Sequence, residues 1–279
     1  MRPTPSLALL LLPLAACSSS LTSMQPARTV PEGHVQAATS LSITPPTGIA
    51  GDAVDGLRAL DDVGRNPTAA EVQQIGEAAA AALVQPPSVD AQLALAYGVN
   101  ERLELDARVG STSAGGGFRL QFLRRSPGIY GALGFRVDIG FNAFPVDRFT
   151  DRVRIQSFRR QDFSVPLVLG YSRRRVHVWA GPKLMFSRYR GAVAVCTRRV
   201  DDDCRGEATL NASGRATYVA GQLGFAIGSN RAWFAVELSI ARVRALADLE
   251  MQASGSVMEH DLDQRGRVFT PAVGFLLWI

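Results

Sequence analysis

From residue 89 to the end of the 279-residue chain, apolar side chains recur at every second position, the period of a strand with two unlike faces. In residues 101–110, Leu103, Leu105, Ala107 and Val109 share one face, while Arg102, Glu104, Asp106 and Arg108 share the other. Residues 129–142 repeat the split, with Leu133, Phe135, Val137, Ile139 and Phe141 alternating with Gly134, Arg136, Asp138 and Gly140. Further on, Val176, Val178, Ala180, Pro182, Leu184 and Phe186 oppose His177, Trp179, Gly181, Lys183 and Met185. The pattern predicts ten strands, at 33–43, 89–99, 101–110, 116–125, 129–142, 163–172, 175–189, 215–228, 231–243 and 267–279. Most are near the roughly 9–11 residues that a tilted strand needs to cross a bilayer.

The connections alternate in length. Residues 99–100, 126–127, 172–174 and 229–230 are tight turns, whereas 44–88, 143–162, 190–214 and 244–266 are long, and only 111–115 breaks the rule. Short turns alternating with long loops over an even number of strands predict an all-β fold, an antiparallel up-and-down transmembrane β-barrel with both ends on the short-turn side. The lumen would then carry Arg102, Glu104, Asp106, Arg108, Arg119, Arg136, Asp138, Lys183 and Glu237, with Gln121 and Gln222. Opposite charges confined in a narrow barrel must pair or be hydrated, so a salt-bridged plug is expected ahead of an open pore. A soluble barrel or sandwich, with the apolar side as its core, is the alternative. One helix is expected in the first long loop, where Thr68 and Glu71 form a capping box after Pro67 and Pro86-Pro87 ends the segment; packing inside that loop is preferred over capping of the mouth.

At the N-terminus, Arg2 precedes an apolar run over 7–14 that ends in Leu14-Ala15-Ala16-Cys17. A charged start, a short hydrophobic core and a small-residue cleavage site make an export signal, too short to span a bilayer. The pattern resembles the lipobox of bacterial lipoproteins. That resemblance implies loss of residues 1–16, acylation of Cys17 and, with Ser18 next, sorting to the outer membrane with a lipidated tether over 17–32. Residues 33–279 are then the barrel domain. The hairpin Tyr97-Gly98-Val99-Asn100-Glu101-Arg102-Leu103-Glu104-Leu105 and the closing strand with Phe269, Val273, Phe275, Leu277 and Ile279 are similar to those of small Gram-negative outer-membrane β-barrel proteins. The final residue departs from that family's aromatic, since the chain ends in Ile279 with Trp278 one position early. The resemblance implies outer-membrane lipid, the barrel-assembly machinery and the lipoprotein-sorting machinery as partners, and periplasmic termini.

Once Cys17 is assigned to the lipid, Cys196 and Cys204 remain, and in an exported chain a disulfide closing that loop is expected. The net charge is +5 and Lys183 is the only lysine. Arg159-Arg160, Arg173-Arg174-Arg175 and Arg198-Arg199 are clusters that suit lipopolysaccharide phosphates or, more simply, solvated turns. No nucleic-acid partner, cofactor or metal is expected; Asp201-Asp202-Asp203 reads as a solvated loop ahead of a calcium site. Nor does a catalytic constellation emerge. His260 beside Asp261 could join Asp201-Asp202-Asp203 in an arrangement resembling that of omptin proteases, and Ser187 or Ser239 could pair with His177, but no spacing links these groups. A structural or surface-interaction role is therefore expected first, a narrow channel or transporter for small solutes second, and a surface hydrolase third.

Overall fold

The computed structural model describes residues 21–49, 51, 55, 81, 84–85, 87–125, 128–140, 153–200, 203–253 and 256–279. Ten antiparallel strands close into a barrel in sequence order. They are β1 (Val35–Thr44), β2 (Ser88–Gly98), β3 (Leu103–Gly110), β4 (Ser113–Arg125), β5 (Ile129–Gly140), β6 (Val153–Ser172), β7 (Val176–Val200), β8 (Asp203–Gly228), β9 (Ala232–Ala253) and β10 (Ser256–Trp278). β10 pairs back onto β1, with Gln36 opposite Trp278 and Thr39 opposite Phe275, which closes the ring over the half next to the short turns. The expected helix over 68–85 falls mostly outside the described residues.

In the half next to the short turns, the apolar faces point outward on all ten strands. Leu41, Leu93, Leu105, Phe118, Leu133, Leu169, Leu184, Val219, Ile240 and Phe275 are each at least 40% exposed, whereas Glu104, Arg119, Arg136, Asp138, Lys183 and Glu237 are buried inside. The arrangement with an apolar core and a charged exterior is thereby excluded. On β7 the outward apolar positions run from Val176 to Phe186, ten residue steps or roughly 33 Å of strand, which at a tilt of ~40° covers about 25 Å of height.

Strands β6 to β10 extend far beyond the expected segments, and the long loops at 143–162, 190–214 and 244–266 shrink accordingly. The reason is an inversion of the alternation. Along β9, Phe234, Val236 and Ile240 point outward; from Ala241 onward it is Ala241, Val243, Ala245, Ala247 and Leu249 that are buried, while Arg242, Arg244 and Asp248 face out. β7 switches in the same way, from outward Phe186 to outward Arg188 with Tyr189 and Val193 inside. Below the switch the chain is patterned for an apolar surrounding, and above it for water, so a search for one continuous apolar stripe ends the strands too early.

Short turns are fixed locally. Asn100 Oδ1 accepts the amides of Arg102 and Leu103, both at 2.8 Å, an Asx turn that begins β3 at Leu103. Arg102 is consequently exposed in the turn and does not face the lumen, a correction to the expected set.

Candidate functional site: the filled lumen

Three ion pairs cross the lumen on β3, β4 and β5. Glu104 and Arg119 face each other directly in the register, and Arg119 Nε and Nη2 reach the two carboxylate oxygens at 2.9 and 2.7 Å. The other two pairs join strands that are not neighbours. Asp106 is opposite Gly117, which is opposite Arg136; Arg108 is opposite Gly115, which is opposite Asp138. With no side chain on either glycine, Arg108 grips Asp138 at 2.6 and 2.5 Å, and Arg136 Nε donates to Asp106 at 3.0 Å. All six charged residues are at most 7% exposed, and paired forks of this kind suit Arg and a carboxylate.

A second layer fills what the ion pairs leave. Residues 21–31, expected as part of a free tether, run up through the lumen from the short-turn rim, with Leu21, Ala27 and Val30 fully buried. The barrel wall holds this segment by its backbone. Val30 N donates to Glu104 Oε2 at 2.7 Å, Thr29 N and Oγ1 to Gln121 Oε1 at 3.0 and 2.9 Å, and Ser23 N and Met24 N to Glu237 at 2.8 and 3.0 Å. In the other direction Arg119 donates to Pro26 O at 2.7 Å, Arg108 to Thr22 O at 3.3 Å, and Lys183 Nζ and Ser239 Oγ to Leu21 O at 3.0 and 3.2 Å. A segment without regular structure inside a barrel must satisfy its amides and carbonyls there, and the lumenal charges do so.

At the short-turn rim, Arg28 lies over the rings of Trp278 and Tyr130, 5.1 and 5.7 Å from their centres. Trp278 packs edge-on against Trp233 and donates to Gln36 Oε1 at 3.2 Å. His177 packs edge-on against Trp233 with ring centres 5.0 Å apart.

Toward the long-loop side, Arg160 collects a polar cluster. It donates to Asp162 at 2.8 Å, to Ser187 Oγ at 2.8 Å, to Tyr218 Oη at 2.9 Å and to Val84 O at 2.5 Å, while Tyr218 Oη also donates to Val84 O at 2.9 Å. Ile49, Ala81 and Val84 are buried with Phe158, Tyr189 and Leu210, so the described parts of the first long loop pack into the barrel.

The candidate hydrolase pairs are not assembled. Ser187 is ten residues from His177 along β7, roughly 33 Å, and Ser239 bonds Leu21. Asp201 and Asp202, and the side chains of Asp203, Cys204 and His260, lie outside what is described. The expected Arg159-Arg160 cluster divides, since Arg160 turns into the lumen and Arg159 outward. Sequence reading also missed the bridging role of Gly115 and Gly117, for which the run Gly115-Gly116-Gly117 between charged strands was the available signal, and the lumenal course of 21–31, for which there was none.

No family model and no curated protein matches this chain. Among solved structures it is similar to the outer membrane protein OprG from Pseudomonas aeruginosa, at 10% identity over 91% of this chain and 99% of that one, with a TM-score of 0.36. It is also similar to the outer membrane protease OmpT from Escherichia coli, at 9% identity over 92% and 100%, with a TM-score of 0.45. A third is an outer membrane channel from Pseudomonas putida F1, at 8% identity over 91% and 98%, with a TM-score of 0.33. Values this low transfer neither an activity nor residue roles.

Proposed function

We propose that the protein is an outer-membrane β-barrel, closed along its axis, with a structural or surface-interaction role carried by its long-loop side. The single observation behind closure is the filling of the lumen by the ion pairs and by residues 21–31. The apolar belt of about 25 Å matches the band expected of such a barrel. Reconstituted full-length protein is expected to migrate as a compact, heat-modifiable species and to give no steady conductance in a planar bilayer. A stable open channel at low protein load would overturn closure and favour the narrow solute channel instead. The surface role further expects external protease to cut the long loops on intact cells, and complete resistance would count against it.

The same reading keeps Cys17 as the acylated residue after loss of 1–16, with the lipoprotein-sorting and barrel-assembly machineries as partners. It sets a condition. Leu21 O is bonded by Lys183 and Ser239, each seven residues into its strand, roughly 18 Å above the short-turn rim. The four residues from Cys17 to Leu21 reach at most about 14 Å. An acyl chain on Cys17 therefore sits in the inner leaflet only when the upper part of 21–31 leaves the lumen. Cys17→Ser is expected to abolish acyl labelling and alter precursor processing; unaltered labelling refutes the assignment. The reading also keeps a Cys196–Cys204 disulfide: the two cysteines lie on the paired strands β7 and β8 but out of direct register, Cys196 opposite Glu207 and Cys204 opposite Arg199.

A further inference from the structure

Just above the apolar belt the outward positions of β6 to β10 carry arginines, and they face one another. Arg159 is opposite Arg190 across β6 and β7, Arg188 is opposite Arg215 across β7 and β8, and Arg242 and Arg244 on β9 are opposite Arg267 and Arg265 on β10. All eight are exposed on the outer surface. On β7 and β9 the first of them, Arg188 or Arg242, follows directly on the last outward apolar residue of the belt, Phe186 or Ile240. Like charges placed directly opposite in an antiparallel pair destabilise the sheet. Four such pairs on five neighbouring strands therefore call for an external counter-charge. Asp263 supplies part of it on β10, bonding Arg244 at 2.9 Å and Arg265 at 3.2 Å. Among the described residues no carboxylate lies within ion-pair distance of Arg159, Arg188, Arg190 or Arg215. These four line a groove of about 780 Å³ on the outer wall, with Asp248 and Asp261 at its far edge.

We infer that this groove binds the phosphate groups of a phosphorylated glycolipid of the outer leaflet, of the lipopolysaccharide class. The position selects the source. A headgroup phosphate whose acyl chains lie along Phe163, Leu184, Phe186 and Val219 sits at the height of the arginines, and its acyl chains cover the same apolar wall. Free phosphate has nothing to gain from that wall. Guanidinium forks suit phosphate oxygens in bidentate contact, and Arg188 and Arg215 together present two forks to one anion. The inference rests on the membrane-barrel reading and extends it by naming the lipid and the strands that meet it.

The test uses full-length protein in detergent micelles, titrated with purified lipopolysaccharide and, in parallel, with its enzymatically dephosphorylated form. Binding is read by native mass spectrometry and by the temperature of the heat-induced gel shift. The wild-type protein is expected to bind the phosphorylated form at least tenfold more tightly than the dephosphorylated one. Arg188→Gln with Arg215→Gln is expected to remove that preference and to keep the compact band. Arg173→Gln with Arg174→Gln, on the short-turn rim, is expected to leave it intact. Inorganic phosphate at millimolar concentration is expected not to compete; full competition would show a free-anion site and overturn the lipid assignment. Equal binding of both lipid forms, or an unchanged preference in the Arg188/Arg215 variant, overturns the inference while the barrel stands. Failure of the wild-type protein to enter micelles as a heat-modifiable species overturns the membrane reading itself.

Discussion

The ion pairs that arch over β4 make a sharp test of how the lumen is built. In Gly115→Ala, the new Cβ would lie 2.1 Å from Asp138 Oδ1, 2.7 Å from Asp138 Cγ and 2.4 Å from Val137 O. Restoring van der Waals contact requires the carboxylate to retreat by roughly 1 Å. Arg108 Nε then sits near 3.6 Å from Oδ1 instead of 2.6 Å, too far for a hydrogen bond. Arg108 and Asp138 are at most 7% exposed, so neither can turn to water, and separating such a buried pair costs about 3–5 kcal/mol. The contact with Val137 O is backbone and adds about 1–3 kcal/mol of overpacking. Gly115→Ala should therefore lose at least ~4 kcal/mol by urea titration of the heat-modifiable band. Gly221→Ala is the control, because its Cβ meets nothing within 4 Å, and should stay within about 0.5 kcal/mol of the wild type. In the background Arg108→Met with Asp138→Ala, only the backbone contact remains, giving a coupling of about 2 kcal/mol or more. A Gly115→Ala protein as stable as the Gly221→Ala control, or a coupling below ~0.5 kcal/mol, would refute the account of β4 as a strand kept bare for charges on its neighbours.

Three further outcomes follow from the lumen. Arg119→Met leaves the charge of Glu104 buried and unpaired and should cost about 3–5 kcal/mol; adding Glu104→Leu should recover all but the ~1–3 kcal/mol each of the orphaned Val30 amide and Pro26 carbonyl, and no recovery would show that the charge is not the cause. Ala27→Cys, in a protein whose own cysteines are serine, should react slowly with a membrane-impermeant maleimide. Adding Gln121→Ala should accelerate the reaction, and fast labelling without it would show that 21–31 does not occupy the lumen. Tyr218→Phe removes the hydroxyl bonds to Val84 O and Arg160, and should cost about 1–3 kcal/mol while exposing the first long loop to limited proteolysis; unchanged proteolysis would place that loop's anchorage elsewhere.

The barrel was legible because alternation is a strictly local signal. Leu103, Leu105, Ala107 and Val109 against Glu104, Asp106 and Arg108 name the two faces of β3 with no knowledge of its neighbours. Strand ends were legible only where a turn residue marks them, as Asn100 does. They were not legible at Ser187 or Ala241, because the face that is apolar changes there while the period does not. The lumenal charges could be read as a set, but their pairing could not. Arg136 meets Asp106 across an intervening strand only because Gly117 lies between them, which depends on the register of three strands at once. The course of 21–31 was hidden for another reason. Most of its hydrogen bonds are made through backbone groups, which every sequence carries, so nothing in Ser23, Met24 or Pro26 announces the partner.

The plug and the ion pairs depend on each other. Glu104 serves both Arg119 and the amide of Val30, and Arg119 serves both Glu104 and the carbonyl of Pro26. Glu237 receives Ser23 N, Met24 N and Trp179 Nε1, the last at 3.1 Å, and makes no ion pair among the described residues, so two of these three donors belong to the segment. Withdrawal of 21–31 would leave Glu237 with Trp179 alone and Lys183 without Leu21 O, and each buried group so stranded costs about 1–3 kcal/mol or more for a charge. Water must then enter to replace the lost partners. An emptied lumen is thus necessarily a hydrated, charged one. Whether the segment stays or leaves therefore decides between a closed scaffold and a wet path, and under the proposed acylation of Cys17 the lipid and the lumenal bonds to Leu21 would pull that segment in opposite directions.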